Sequence, residues 1–549
     1  MDSMKCWRVK TSLFIGVLLS FCALVLSVSN LNVFNYDMIE YGLYSILPPS
    51  YFISLIFFVL FFLLQLKFSD SHRYKLISLI LLVSILFGTS LFIEGSLRNP
   101  YCLFGIGNLN YLIEVGHISV NWDDTARLGM YQNWPAIFFV GCMISLISSV
   151  DPMTIAMFTS LVSRLLYLCP LYLLNTKLFM DHSKAICATS LFCILDWINQ
   201  DFLSNQNIGY FLMLLGLALY FVSITKHASN NSYTSLFLIT LCALSISHGL
   251  SSVSMVLYTV LIAIVVILIH RRNVPPKVFF YIAVVAVVLL AVWSTYGVAE
   301  TMFSSGITKM SSIDPANIVT KYQATESLGT TGSESRAVLS YLKISLALGF
   351  LGISIIGFMF YLFSGDFNPR SIGIVASISV IMLFVNLVIY ISGLYGDEAL
   401  IRAFYFSLIP LIYFSLKLYD SKKLSTLLVL FFFIATPLHV VLYHSNESFY
   451  YYSPGSVTGV NFFVGHLTST ADIDDVGGLT QQYLIEINNA RNTLNGVNVG
   501  VYTAIYPNVL TRQFSVTGEE FDQIRNAIDT KQMLEGQVYN NGDFILLFC

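Results

Sequence analysis

The sequence predicts an α-helical polytopic membrane protein that crosses the bilayer about thirteen times and ends in a small α/β domain. Three observations predict it. Of 549 residues, 56% are hydrophobic and only 11% are charged, less than half the charged share of about 25% found in soluble domains. Apolar windows of the roughly 20 residues needed to cross about 30 Å of hydrocarbon recur from Ser12 to about Tyr443, with short polar breaks between them. After residue 443 that pattern stops.

Taken in order, the first apolar run follows Lys5, Arg8 and Lys10 and ends at Val28-Ser29-Asn30 without a small-residue cleavage site. It therefore reads as an uncleaved first span, 12–30. Lys and Arg favour the cytoplasmic side of short loops, which puts the N-terminus inside. Spans at 50–68 and 76–95 then place Asp37 and Glu40 outside and Lys67, Arg73 and Lys75 inside. Loop 96–134 faces out. The stretch 135–150 is about 16 residues long and runs into Asp151-Pro152. Read as a half-inserted helix, an element tolerated where it is buried in protein or lines a cavity, it keeps Lys177, Lys184, Arg271, Arg272, Lys277, Lys417, Lys422 and Lys423 inside. Spans at 153–175, 185–200, 209–225, 232–249, 250–270, 278–298, 338–363, 371–393, 402–418 and 424–443 follow. The expected organisation is a transmembrane domain, 1–443, whose long external loops 96–134 and 299–337 carry the chemistry, and an extracytoplasmic α/β domain, 444–549. Loops 199–208 and 394–401 share that outer face. The expected location is the cell membrane.

In the C-terminal segment the spacing predicts a strand over 497–505 and a helix opening at Thr517, with Glu519 and Glu520 in its first turn. Gly536 to Tyr539 and Phe544 to Phe548 flank Asn541-Gly542, a strong hairpin signal.

Several classes of function are disfavoured. With a net charge of −3 and no dense Lys/Arg cluster, the chain offers no nucleic-acid surface. It has no phosphate-binding Gly-rich loop, no paired metal-ligand helix motif and no nucleotide-binding αβ pattern, which argues against an ATP-driven pump. Cys22, Cys142, Cys169, Cys187, Cys193 and Cys242 fall in apolar spans and read as small buried hydrophobes, with no disulfide or zinc framework. No cofactor follows from these residues, and a divalent cation is left open.

Charges are scarce, so their gathering on the outer face is informative. Loop 116–135 holds His117, the adjacent acids Asp123 and Asp124, and Arg127, with Trp122, Tyr131 and Trp134 among them. A carboxylate there is placed to act as general base on a hydroxyl; adjacent side chains point apart, and Asp123 is taken first. The bland alternative is a solvated loop with aromatic anchors at headgroup depth. At span ends stand Glu94 and Arg98, then Asp201, Gln206 and Asn207, then His248, and finally Asp397, Glu398 and Arg402. Arg402 and His248 are candidates to hold a lipid phosphate, against the alternatives of a snorkelling Arg and a helix-turn His. His117, Arg127 and Glu94 complete the substrate-binding set. Arg164 lies well inside a span, where a charge must face protein or water, and reads as structural or as part of a substrate path.

Tyr41-Gly42-Leu43 with Leu47-Pro48-Pro49, Gly116-His117-Ile118 followed by Tyr131-x-x-Trp134-Pro135, Ser204-Asn205-Gln206-Asn207, and the chain end Val538-Tyr539-Asn540-Asn541-Gly542 form a familiar set. Over most of its length the chain resembles the GT-C superfamily of membrane glycosyltransferases, particularly its archaeal-type multi-span members. The resemblance implies a GT-C-like fold and inverting transfer of a sugar from a polyprenyl-phosphate carrier to a lipid, protein or glycan acceptor on the outer face. It also implies an acidic base in an early external loop and basic residues that stabilise the leaving lipid phosphate. By position Asp123 or Asp124 takes the first role. The family often sets its acidic loop directly after the first span, which makes Asp37 and Glu40 the other candidates. Two other functions are weighed beside this one. A transporter or flippase of lipid-linked glycans would use mid-membrane charges such as Arg164 and Lys343, and a non-catalytic envelope assembly protein would need none of them.

Overall fold

The computed structural model describes residues 2–29, 31, 42–95, 97, 102–117, 134–197, 201–225, 231–269, 276–295, 334–364, 399–421, 423–444, 471–476, 500–505, 536–540 and 545–548. Within them the helices run in the order α1 (Asp2–Val28), α2 (Pro49–Phe68), α3 (His72–Glu94), α4 (Cys102–Val115), α5 (Ala136–Ser148), α6 (Pro152–Phe179) and α7 (His182–Leu195). They continue as α8 (Asn205–Thr225), α9 (Asn231–Ser245), α10 (Gly249–Ile269), α11 (Pro276–Ser294), α12 (Glu334–Ser364), α13 (Ala399–Ser415) and α14 (Ser425–His444). Seven of them, α1, α2, α3, α6, α8, α12 and α14, are long and apolar enough to cross a membrane. The protein is thus a polytopic α-helical membrane protein. The expected span 371–393 lies outside the described residues.

Local chemistry explains where the helices start. Asp151 accepts from the backbone N–H of Met153 (2.8 Å) and Thr154, with Pro152 behind it, and Asp181 does the same for Ser183 (2.7 Å) and Lys184. Both are N-caps satisfying orphan donors of the first turn. The 13 residues of α5 rise only about 20 Å, too short for a hydrocarbon core of about 30 Å.

Two boundaries differ from expectation. The external loop 96–134 contains a helix, α4, whose buried face is Cys102, Ile106, Leu109 and Leu112. That is helical spacing, and it packs the element against Gly141 of α5 through Leu109. The span expected over 185–200 ends at Leu195, because Asp196 leaves the helix to meet an arginine. Cys22, Cys169 and Cys242 are exposed on the bundle exterior, where the expectation had them buried; Cys187 and Cys193 are buried.

The centre of the bundle is α7. Every residue from Ala185 to Leu195 is buried, and an all-round apolar helix belongs inside a bundle. Its Thr189 and Ser190 return their hydroxyls to the carbonyls of Ala185 (2.8 Å) and Cys187 (2.9 Å), so no polar group is stranded there. Around it stand α3, α6, α13 and α14. Their outward sides carry exposed large apolar residues such as Ile80, Phe92, Leu166 and Ile434, as lipid contact requires.

The two ends of the bundle differ in chemistry. At one end Lys10 binds Asp70 at 2.7 Å and holds that carboxyl below the usual carboxylate range, chiefly through the hydrogen bond. At the same end Lys75 donates to Ser183 Oγ (2.7 Å) and to the Leu66 carbonyl (3.1 Å), and Lys184 pairs with Asp420. Lys417 lies over the rings of Tyr361 and Tyr413 at 4.9 and 4.7 Å. The opposite end is acidic and aromatic.

Beyond the helices, β1 (Ala471–Val476), β2 (Gly500–Ile505), β3 (Gly536–Asn540) and β4 (Ile545–Phe548) form one sheet in the order β1-β2-β4-β3. β1 runs parallel to β2, and the other pairs are antiparallel, with a bulge between Gln537 and Tyr539. β2, β3 and β4 fall on the segments whose spacing suggested strands. The acidic strand β1 was not foreseen, and the helix expected from Thr517 lies outside the described residues.

A close crossing joins α12 to α13. A Cβ on Gly357 would collide with the Phe414 carbonyl and come within 3.2 Å of Ser415 Cα. Backbone cannot give way as a side chain can, so Gly357→Val is expected to destabilise the protein by about 1–3 kcal/mol. Gly352→Ala, with nothing within 4 Å of its Cβ, should be neutral or slightly stabilising, as Ala is better than Gly in a helix. Thermal unfolding of both variants in detergent, followed by size-exclusion chromatography, tests the contrast.

Candidate functional site

The acidic end is organised by Arg164, on the fourth turn of α6 and 1% exposed. A guanidinium this deep needs a counter-charge, because an unpaired charge in apolar surroundings costs several kcal/mol. Asp196 supplies a two-pronged pair: Nη1 lies 3.0 Å from Oδ2 and Nη2 donates to Oδ1 at 3.2 Å. Nη1 also donates to the Tyr405 hydroxyl at 3.2 Å. The rings of Tyr167 and Phe87 face the guanidinium at 4.8 and 5.4 Å, within cation–π range. One ion pair thus ties α6, α7, α13 and α3 together.

Tyrosines extend the tie to α8. Tyr210 donates to the Tyr405 carbonyl at 3.2 Å and stacks on its ring, with centroids 4.2 Å apart. Tyr167 donates to Asn207 Oδ1 and to the Asn207 carbonyl at 2.8 and 2.7 Å. Asn207 in turn donates from Nδ2 to the carbonyls of Asp201 (2.8 Å) and Phe202 (3.1 Å), and so shapes the 201–204 approach to α8.

Asp201 is the second carboxylate, 2% exposed. It accepts from Ser160 of α6 and Tyr443 of α14, whose hydroxyls are 3.0 Å apart. Below it His439 stacks on Tyr443, with Phe87 at the edge of both rings. The His439 Nδ1–H donates to the Ile194 carbonyl at 2.8 Å. With Arg164 positive and Asp196 and Asp201 negative, the cluster carries one surplus negative charge when both acids are ionised.

An apolar groove of about 310 Å³ opens beside it between α5, α6 and α8. Val140 and Ile144 form one wall, Phe158 and Val162 another, and Tyr167 and Asn207 reach its floor.

Of the residues expected from sequence to form the site, Asp123, Asp124 and Arg127 lie outside the described residues. Glu94 ends α3, 6% exposed, at the same acidic end. His117 is exposed just beyond α4, after Gly116 in the left-handed conformation (φ 78°). His248 sits in the turn between α9 and α10, where Nδ1 accepts from the Ser251 hydroxyl (2.9 Å) and the Ser251 N–H (3.3 Å), and it packs against Gly209 of α8. Arg402 lies in the first turn of α13. Of the span-end candidates, Asp201 and Asn207 are the ones the structure joins to the Arg164 cluster among the described residues, Asn207 through Tyr167 and Asp201 through Asn207.

Sequence reasoning missed Asp196, Ser160, Tyr405 and Tyr443. A signal for Asp196 was present: an arginine inside a span demands a counter-charge, and Asp196 is the first acid after the apolar run 185–195. The hydroxyls carry no such signal, since serines and tyrosines are common throughout the chain. Among the described residues no three His, Cys, Asp or Glu side chains gather as a metal site would require.

No family model and no curated protein sequence matches the chain. Comparison of backbones does. The chain is similar to the apo oligosaccharyltransferase of Archaeoglobus fulgidus, with a TM-score of 0.50 and 12% identity over 80% of this chain and 70% of that one. The chain has a GT-C-type membrane fold. AglB of the same organism, solved with an inhibitory peptide and a dolichol-phosphate, gives 0.46 at 14% identity, covering 72% of this chain and 58% of that one. ArnT of Cupriavidus metallidurans gives 0.38 at 10%, covering 87% and 98%. The first of these carries the GT-C fold assignment.

Proposed function

We propose that the protein is an inverting glycosyltransferase that moves a sugar from a polyprenyl-phosphate carrier to an acceptor on the extracytoplasmic face. The observation that carries this reading is the gathering of Arg164, Asp196 and Asp201, all buried, at the end of a GT-C-type bundle opposite Lys10, Lys75 and Lys184. Intramembrane ionisable groups are costly and mark functional sites, and Lys-rich ends face the cytoplasm. Placed this way, the acidic end, Glu94, His248 and the loop with Asp123 and Asp124 all meet the outer leaflet, and the 444–549 domain lies outside.

In the proposed reaction Asp123 or Asp124 takes the proton of the acceptor hydroxyl or amide. The freed oxygen or nitrogen attacks the anomeric carbon from the face opposite the carrier. The bond from that carbon to the phosphate oxygen breaks, and its electron pair leaves on the lipid phosphate. Arg127 and Arg402 would offset that charge, His117 and His248 would donate hydrogen bonds to the phosphate oxygens, and a divalent cation would add to them. Asp201, fixed by two hydroxyl donors, is a positioning residue that holds α6, α14 and the approach to α8 together.

The test is transfer of radiolabelled sugar from a panel of polyprenyl-phosphate and polyprenyl-pyrophosphate donors by the purified protein in lipid, with and without EDTA. Wild type is expected to transfer from at least one donor. Asp201→Asn, which keeps the shape but weakens a charge-assisted acceptor, is expected to lose roughly 10-fold in rate. Donor movement across proteoliposomes without transfer would replace this reading with transport. Arg164, one of two charges available to a transport route, is already held by Asp196.

A further inference from the structure

Toward the basic end a second groove runs between α3 and α6. Its volume is about 650 Å³, and Leu76, Leu79 and Ile80 face Leu165, Leu168 and Cys169 across it. From Leu165 to Thr176, both lining residues, the groove extends about 16 Å along the helix axis. Ile80 and Cys169 are exposed to the bilayer side.

The mouth of this groove is polar and basic. His182 lines it, with Nδ1 2.8 Å from the Tyr172 hydroxyl. When Tyr172 donates that bond, the second ring nitrogen of His182 carries the hydrogen and is a donor at the mouth. The His72 ring lies 4.6 Å from the His182 ring, and Arg73 follows it on the exposed first turn of α3. Lys177 stands one residue beyond the lining Thr176. The acids nearby are engaged: Asp181 caps α7, and Asp70 is paired with Lys10.

We propose that this groove binds one anionic phospholipid, its chain along the α3–α6 floor and its phosphate against His72, Arg73 and His182. An apolar trough fits a chain, and a cluster of donors and positive charge at headgroup depth fits a phosphate. Zwitterionic lipid gains less from such a mouth. The inference stands apart from the transfer reaction.

Native mass spectrometry of the purified full chain, given equimolar phosphatidylglycerol and phosphatidylcholine with matched chains, tests this directly. Retention of phosphatidylglycerol by about fivefold over phosphatidylcholine is expected. His72→Gln/Arg73→Gln/His182→Gln should bring the ratio to parity, and Leu168→Trp, which fills the trough, should release both lipids. Arg73→Glu alone, at an exposed position, should lower the ratio if the triple variant fails to fold. Equal retention by wild type, or a ratio unchanged in both mouth variants, overturns the proposal. Displacement of the lipid by millimolar inorganic phosphate overturns it in favour of a free phosphate site.

Discussion

Replacing Arg164 with Met is expected to cost about 3–5 kcal/mol, because it strands the Asp196 carboxylate without its counter-charge in a site 1% exposed. The loss is larger than that of an ordinary buried side chain since four helices share the guanidinium. Asp196 at the C-cap of α7, Tyr405 on α13, Tyr167 on α6 and Phe87 on α3 all meet it. Removing both charges has a different consequence. In Arg164→Met/Asp196→Leu neither ion is desolvated alone, and much of the lost stability should return. A double-mutant cycle on thermal midpoints, measured in one detergent, reads the coupling. If Arg164→Met unfolds at the wild-type temperature, the pair is not what closes the bundle.

One of Asp123→Asn and Asp124→Asn is expected to lower sugar transfer by about 10²–10⁴-fold, the contribution of a general base, with donor KM nearly unchanged. Asn keeps the volume and hydrogen-bonding shape of Asp but cannot take the acceptor proton. Adjacent residues on an extended chain project to opposite sides, so the other variant should stay within about threefold of wild type. Asp37→Asn is the comparison. If it alone abolishes transfer, the base belongs to the loop after the first span, and both aspartates of 116–135 become surface residues. Thermal midpoints equal to wild type in all three variants would assign the loss to chemistry.

The contrast between the two acidic groups shows what kind of information each residue carries. The 123–124 pair was legible because charges are rare in this chain and two stand together in an external loop. Asp196 fell inside the expected span 185–200 and was not singled out, and Asp201 was a span-end candidate with no partner named. Their environment comes from α6, α13 and α14, whose partner residues lie 32 to 242 positions away along the chain. Cross-chain contacts of that kind leave no local periodicity to read. The same reason hid α4. Its buried face looks into Leu109–Gly141 packing with α5, and an apolar face only 14 residues long resembles a loop until its partner is known.

By itself the sequence determined that lipid is the solvent and where most apolar helices run. It also determined which charges share an end of the bundle, because length, hydropathy and the placement of Lys and Arg act locally. Only the tertiary structure decided that Arg164 is a paired clamp rather than a lone charge, and that α7 is the buried centre of the bundle. It alone showed a lipid-facing groove ending between two histidines 110 residues apart, His72 and His182. Those are decided by which helix faces meet, and burial of a charge or a ring is a property of the meeting, not of either segment.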